Sequence, residues 1–262
     1  MGPGSSSAMA QSLTAWYKEL PPVTRCYLTA AVCITALCYF EILTLFHLYL
    51  DFKLIASKWQ WWRLVTTFLF FGDSISIDFL FHMYFLVRYS TSLEQGAFWG
   101  ASASASFFWM LLFGSSCMLC IAPFVKIPFL SHSLTFMMVY VYGRRNEGVR
   151  MTFLHLFTFR APYLPWVLLG FSFLLGSFSP GVDLLGILVG HIYIFFQDVA
   201  PNMPNSILKD RRLIDTPVII RFLFGEAQFR LAPRQANANN LNNLAAAHDP
   251  AAHDPAAHEH IE

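Results

Sequence analysis

Ala97-Phe-Trp-Gly-Ala-Ser-Ala-Ser-Ala-Ser-Phe-Phe-Trp-Met-Leu-Leu-Phe-Gly-Ser-Ser-Cys-Met-Leu-Cys-Ile-Ala-Pro-Phe-Val125 carries no charged residue over 29 positions. A helix needs about 20 mostly apolar residues to cross ~30 Å of hydrocarbon. This run exceeds that length, so the solvent of the chain is partly lipid. Composition agrees. Of 262 residues, 56% are hydrophobic, 17% aromatic and 13% charged. Soluble domains hold about 45–50% apolar and about 25% charged residues. A water-soluble globule of this size could not hide so much apolar surface. An ordinary soluble enzyme, a disordered protein and a disulfide-stapled secreted domain are all excluded.

Five further apolar segments flank the first. Cys26–Phe46 is interrupted by Glu41 alone. Phe79–Val87 is short and reaches spanning length with residues 74–78 and 88–91. Ile127–Gly143 and Ala161–Val182 are uncharged, and Leu184–Gln197 is apolar between Asp183 and Asp198. Backbone groups in lipid must be satisfied within the segment, so each is expected to be helical. The expectation is an all-α, polytopic protein with six helices. Its membrane domain covers 26–199. Residues 1–25 precede it, of which 1–8 read as a leader or appended stretch. A membrane-proximal segment follows at 200–231, and then a tail at 232–262. The stretch before Cys26 is too polar for a cleavable signal, so the first span is expected to direct its own insertion.

Six spans place both termini on one side. Ten Lys and Arg lie near the spans on that side, among them Arg25, Arg88, Arg144, Arg145 and Arg160. The other side has four: Lys53, Lys58, Arg63 and Lys126. The positive-inside rule then puts both termini in the cytosol. The net charge of +1 gives no reason to expect nucleic acid. All five cysteines lie in apolar runs, so Cys117-Met-Leu-Cys120 reads as packing thiols. No cofactor and no metal site is expected.

The first loop, about Leu48 to Gly72, is amphipathic. Lys58-Trp-Gln-Trp-Trp-Arg63 sets three Trp beside two cations, which suits a headgroup interface. The loop could rest on the membrane as an anchor, or form an elbow that packs on the bundle and shapes a groove. After Leu231 there is no aromatic residue, and the chain ends in Ala-Ala-His-Asp-Pro repeats. Such composition cannot offset the entropy of ordering, so a disordered tail is expected.

Ionisable groups at membrane depth are costly and are functional candidates. They are Glu41, Asp78, His82, His132, Asp183 and His191. We single out Asp78, His82, Asp183 and His191. His191 follows Gly186-Ile-Leu-Val-Gly190, a small-residue stripe that lets a neighbouring backbone approach, within one bundle or between two chains.

Several motifs resemble the Derlin family of rhomboid-like pseudoproteases. They are Trp16-Tyr17 with Leu20-Pro-Pro-Val-Thr-Arg25; Trp62-Arg63 with the run to Gly72; Phe85-Leu86, Arg88-Tyr89, Leu93-Glu94 and Gly96; Leu134 to Tyr142; Tyr163 to Gly170; and Gly186-x-x-x-Gly190-His191. The likeness runs from about Ala10 to Phe224 and is nearest to the Derlin-two type. It implies a six-helix rhomboid-like bundle in the endoplasmic reticulum membrane. Trp62 and Arg63 would anchor the first loop, and Gly186 and Gly190 would hold the sixth helix in place.

Active rhomboid proteases carry a Ser in a G-x-S-G turn at the start of the fourth helix and a His in the sixth. Here the fourth segment opens Ser131-His-Ser133 with no flanking Gly, and no G-x-S-G occurs anywhere. The resemblance therefore implies a non-catalytic component of endoplasmic-reticulum-associated degradation. Such a protein helps misfolded chains leave the lumen or membrane for the cytosol. The implied partners are misfolded clients, a membrane ubiquitin ligase complex, a cytosolic AAA+ unfoldase reached indirectly, other copies or relatives in an oligomer, and the lipid itself. The unfoldase-binding box of many relatives is missing, with a faint echo at Phe224–Leu231. The expected mechanism is a lateral groove beside the second, fifth and sixth segments, with local thinning from the short sixth span. Client sorting or stress signalling without a conduit, and an active intramembrane serine protease, are the alternatives.

Overall fold

The computed structural model describes residues 11–12, 14–72, 76–97, 103–153, 157–174, 180–202 and 216–224. The expectations for residues 1–8, for the tail and for most of the membrane-proximal segment fall outside them. Six main helices follow the six apolar segments: α1 (Pro22–Tyr39), α2 (Ile77–Ser92), α3 (Ala103–Val125), α4 (Ser131–Arg145), α5 (Leu164–Leu174) and α6 (Pro180–Ile194). The protein is an all-α polytopic membrane protein with one small addition. Strands β1 (Arg150–Phe153) and β2 (Phe157–Arg160) form an antiparallel hairpin, pairing Arg150 with Arg160 and Thr152 with Thr158. This hairpin follows α4, and no apolar-segment count reveals it.

Among the described residues, three helices are long and apolar enough to cross a membrane by length and composition: Pro22–Tyr39, Ala103–Val125 and Pro180–Asn202. The helix ends differ from the apolar boundaries for physical reasons. α1 opens at Pro22, and proline is pre-set for a first helical turn. It stops before Glu41, which takes a left-handed φ of 57°. Pro180 likewise opens α6, which therefore claims residues 180–182 from the expected fifth span. The turn expected at 177–181 lies mostly outside the described residues.

The short sixth span is corrected. Helical structure runs without a break from Pro180 to Asn202, 23 residues, about 34 Å at ~1.5 Å per residue. Asp183 does not end the helix, because its side chain is buried inside the protein. Asp198 does not end it either, because Arg145 pairs with it (Nε to Oδ2 3.2 Å).

α4 is the hub. Leu134, Met137, Met138, Val139 and Val141 are buried, as are Ser131, Ser133 and Thr135. A helix enclosed this way need not be apolar all round, because its polar side chains find protein partners instead of lipid. α6 packs closest to it. A Cβ on Gly186 would sit 2.3 Å from the Ser133 carbonyl oxygen, and one on Gly190 would sit 3.0 Å from Tyr140 Cβ. The Gly-x-x-x-Gly stripe is used within one bundle.

The first loop packs on the bundle and also shows aromatic rings outward. Leu50 N donates to Pro128 O (3.0 Å) and Leu130 N donates to Thr67 O (3.0 Å). Tyr27 of α1 donates to Phe68 O (2.9 Å). Ile55, Phe68, Phe70 and Phe71 are buried, while Trp59, Trp61 and Trp62 are exposed. One short helix, Phe52–Lys58, is capped by Asp51, whose carboxyl accepts from Lys53 N and Leu54 N. The loop thus packs on the bundle as the elbow of the second reading and keeps three indoles exposed.

Candidate functional site

α2, α4 and α6 all begin at the end of the bundle covered by the first loop. Their first turns supply Asp78, His132 and Asp183, and His82 lies one turn further along α2. These four residues line one cavity of about 230 Å³, roofed by Phe70, Phe71 and Phe129 and bordered by Ser172 of α5. Ser76 caps α2 by accepting from Phe79 N (3.1 Å), which fixes Asp78 on the first turn.

The cluster is tightly knit. His82 Nδ1 donates to the Asp78 carbonyl (2.9 Å) and lies 3.5 Å from Asp78 Oδ1. The rings of His82 and His132 meet edge to face with centroids 4.0 Å apart, and Phe71 stacks edge-on against His132 at 5.7 Å. Asp78 Oδ1, His132 Nε2 and Asp183 Oδ2 are buried without a hydrogen-bond partner. Polar atoms left so cost on the order of 1–3 kcal/mol each, so the cavity holds a store of unmet polar demand in an apolar bundle.

His191 does not join this cluster. It lies more than two turns along α6 from Asp183, ~12 Å at ~1.5 Å per residue. It is exposed, and Tyr140 OH lies 2.8 Å from its Nδ1. Tyr140 is two turns along α4 from Ser133. The serines at the head of α4 are engaged elsewhere. Ser133 Oγ donates to Val182 O (2.6 Å), and Ser131 Oγ donates to Phe70 O. Both hydroxyls serve as ties, one to α6 and one to the loop.

The Trp62–Arg63 pair divides into two roles. Trp62 faces outward. Arg63 is 3% exposed. Its Nη1 donates to Tyr49 O (2.8 Å), its Nε donates to Gln60 Oε1 (2.7 Å), and its guanidinium lies 5.0 Å from the Tyr49 ring centre. Arg63→Ala is expected to free the loop, at a cost of about 2–3 kcal/mol for the charged hydrogen bonds. Faster tryptic cleavage at Lys53 and Lys58 would show it. Arg63→Lys should rescue little, because an ammonium cannot fork to both acceptors.

The Der1-like family model matches residues 20–218. The chain belongs to the Derlin (Der1-like) family. It is 49% identical over 229 residues to Derlin-2.1 of Zea mays, covering 83% of this chain and 88% of that protein. Derlin-2.2 of Arabidopsis thaliana is 48% identical over 229 residues, covering 83% and 90%. A probable derlin-2 homolog of Dictyostelium discoideum is 43% identical over 222 residues, covering 82% and 84%.

Two residues of this Derlin were not singled out as a site from sequence. His132, one of the six ionisable candidates, was not among the four singled out, and it completes the cluster. Glu94 was noted only as part of a family motif. It is 2% exposed, at the foot of α2. Its carboxylate accepts from Val23 N (3.1 Å), Thr24 N (2.9 Å), Thr24 Oγ (2.8 Å) and Ser104 Oγ (2.7 Å). Glu94 thereby caps the positive end of α1 and ties it to α2 and α3. A carboxylate used as a remote cap has no local sequence signature.

Proposed function

We propose that this Derlin works without catalysis in the disposal of misfolded proteins from the endoplasmic reticulum, guiding client chains through a lateral groove towards the cytosol. The observation that carries this reading is the polar cavity of Asp78, His82, His132 and Asp183 at the loop-covered end of a lipid-facing bundle. A polypeptide entering lipid loses hydration of its peptide groups, which costs several kcal/mol per unpaired group. A cavity rich in unmet donors and acceptors can take over part of that hydration. Beside it, α2 and α5 meet through the Phe81–Phe171 ring pair, with centroids 5.0 Å apart. Two side chains can swing aside more readily than two interlocked backbones.

The engagement of Ser131 and Ser133 by backbone carbonyls, and the pairing of His191 with Tyr140, support the non-enzymatic reading. The expectation of thinning by a short sixth span is not retained, because helical structure there runs over 23 residues. The endoplasmic reticulum location, the cytosolic termini, a membrane ubiquitin ligase partner, and an AAA+ unfoldase recruited through it belong to the same proposal.

Photo-crosslinking tests it. A photoreactive residue in place of Phe81 or Phe171 is expected to capture an unfolded luminal client during its turnover. The same residue at Leu112, on the outer face of α3, should not. Adducts of equal yield at all three positions, or adducts confined to the tail, would replace the groove with a client-sorting adaptor.

A further inference from the structure

The four residues around the cavity come from three helices and offer two imidazoles and two carboxyls. The ligating atoms of Asp78, His82 and His132 all lie within 4.8 Å of one another. His82 is already oriented. A carbonyl only accepts, so the 2.9 Å bond to Asp78 O fixes the proton on Nδ1 and leaves Nε2 a lone pair. Metal-bound imidazoles are commonly held this way, with the second nitrogen donating to a carbonyl or carboxylate. An independent observation comes from α6. Asp183 is 4% exposed, lines the same cavity, and its Oδ2 has no hydrogen-bond partner. His132 Nε2 and Asp78 Oδ1 share that condition.

We propose that Asp78, His82, His132 and Asp183 form a binding site for Zn²⁺ that clamps the starts of α2, α4 and α6. The donor set selects the ion. Mixed imidazole and carboxylate ligands suit four-coordinate Zn²⁺, whereas Ca²⁺ and Mg²⁺ take six or more oxygens. Ligands of a tetrahedral Zn²⁺ lie about 3.4 Å apart, given bonds of about 2.0–2.1 Å. The atoms of Asp78, His82 and His132 must therefore draw in by roughly an ångström, and Asp183, which lines the same cavity, turns in as the fourth ligand. The cation would meet the demand of all three orphaned atoms at once. The site requires no passage of clients, so its test is separate from that of the groove, whose polar lining would then be the cation and its ligands in place of the orphaned atoms.

The test uses the full chain purified without a metal-affinity tag and held in lipid nanodiscs. To remove the tail histidines as competing ligands, a parent with His248, His253, His258 and His260 all changed to Ala is the reference. After incubation with Zn²⁺ and exhaustive dialysis, elemental analysis is expected to find about one zinc per chain in this parent. His132→Gln and Asp183→Asn should lose it. Zinc should raise the Tm of the parent and leave that of either variant unchanged. X-ray absorption of the loaded parent, which needs no cluster variant, should show two imidazoles at about 2.0 Å. No retained zinc in the parent, retention undiminished in both variants, or a spectrum without imidazole would overturn the site and leave a cavity filled by water.

Discussion

Gly186→Leu is expected to prevent α6 from seating and to deplete the folded chain. A Cβ alone would stand 2.3 Å from the Ser133 carbonyl oxygen and 2.7 Å from Phe136 Cβ. The first neighbour is backbone of the central helix, so no rotamer change relieves the clash. α6 must move away, breaking the Ser133–Val182 hydrogen bond and separating Asp183 from the cluster. Overpacking of this kind costs at least about 3 kcal/mol, a large part of the stability of a marginally stable fold. The variant should elute as aggregate in mild detergent and fall steeply in steady-state level. Gly170→Ala in α5 is the control. Its added methyl meets nothing within 4 Å, and a helix interior gains about 0.5–1 kcal/mol from the change. A Gly186→Leu protein that is monodisperse, with an unchanged Tm, would remove the α4–α6 contact from the centre of the fold.

Glu94→Ala should be the second most damaging change. The carboxylate satisfies two backbone N–H groups at the start of α1 and two hydroxyls, with the bond to Ser104 half-buried and the other three buried. Its loss orphans four donors where water has little access. Bonds to a charged group contribute about 1.5–3 kcal/mol each, and an orphaned buried donor costs about 1–3 kcal/mol. These values are not additive, so a loss of about 3–4 kcal/mol is the reasonable expectation. Glu94→Gln keeps the shape and one acceptor, and should cost about half as much. Thermal unfolding in detergent separates the three proteins. Tryptic cleavage at Lys18 and Arg25 should quicken in the order parent, Gln, Ala. Equal stability of parent and Ala variant would mean that α1 is held by its apolar face alone.

The sequence revealed what depends on local composition. Six apolar runs became six helices, and the paired glycines marked a close approach. The Trp-rich loop read correctly as amphipathic, since burial and exposure alternate within it. What stayed hidden depends on partners distant in the chain. Asp78, His132 and Asp183 are far apart in sequence and meet because three helices start at one end of the bundle. Glu94 caps a helix that begins about seventy residues before it. Asp183 and Asp198 looked like the ends of a short span, because hydropathy assigns every charge to an interface. One is buried in the cavity and the other faces an arginine. His191 attracted notice by sitting next to the glycine stripe, yet more than two turns of α6, ~12 Å, separate it from Asp183, and that distance set it outside.

The enclosure of α4 bears on how the chain is made. α4 is not among the three helices that could span a bilayer by length and composition. Released alone from the ribosome into an insertase, it would offer lipid only 15 helical residues, with the Ser133 hydroxyl still without its Val182 acceptor. Its lodging is built partly from α6, which is synthesised later. The Ser133 tie to Val182 and the close α4–α6 packing thus form only after α6 is made, and only then does the bundle close around its hub.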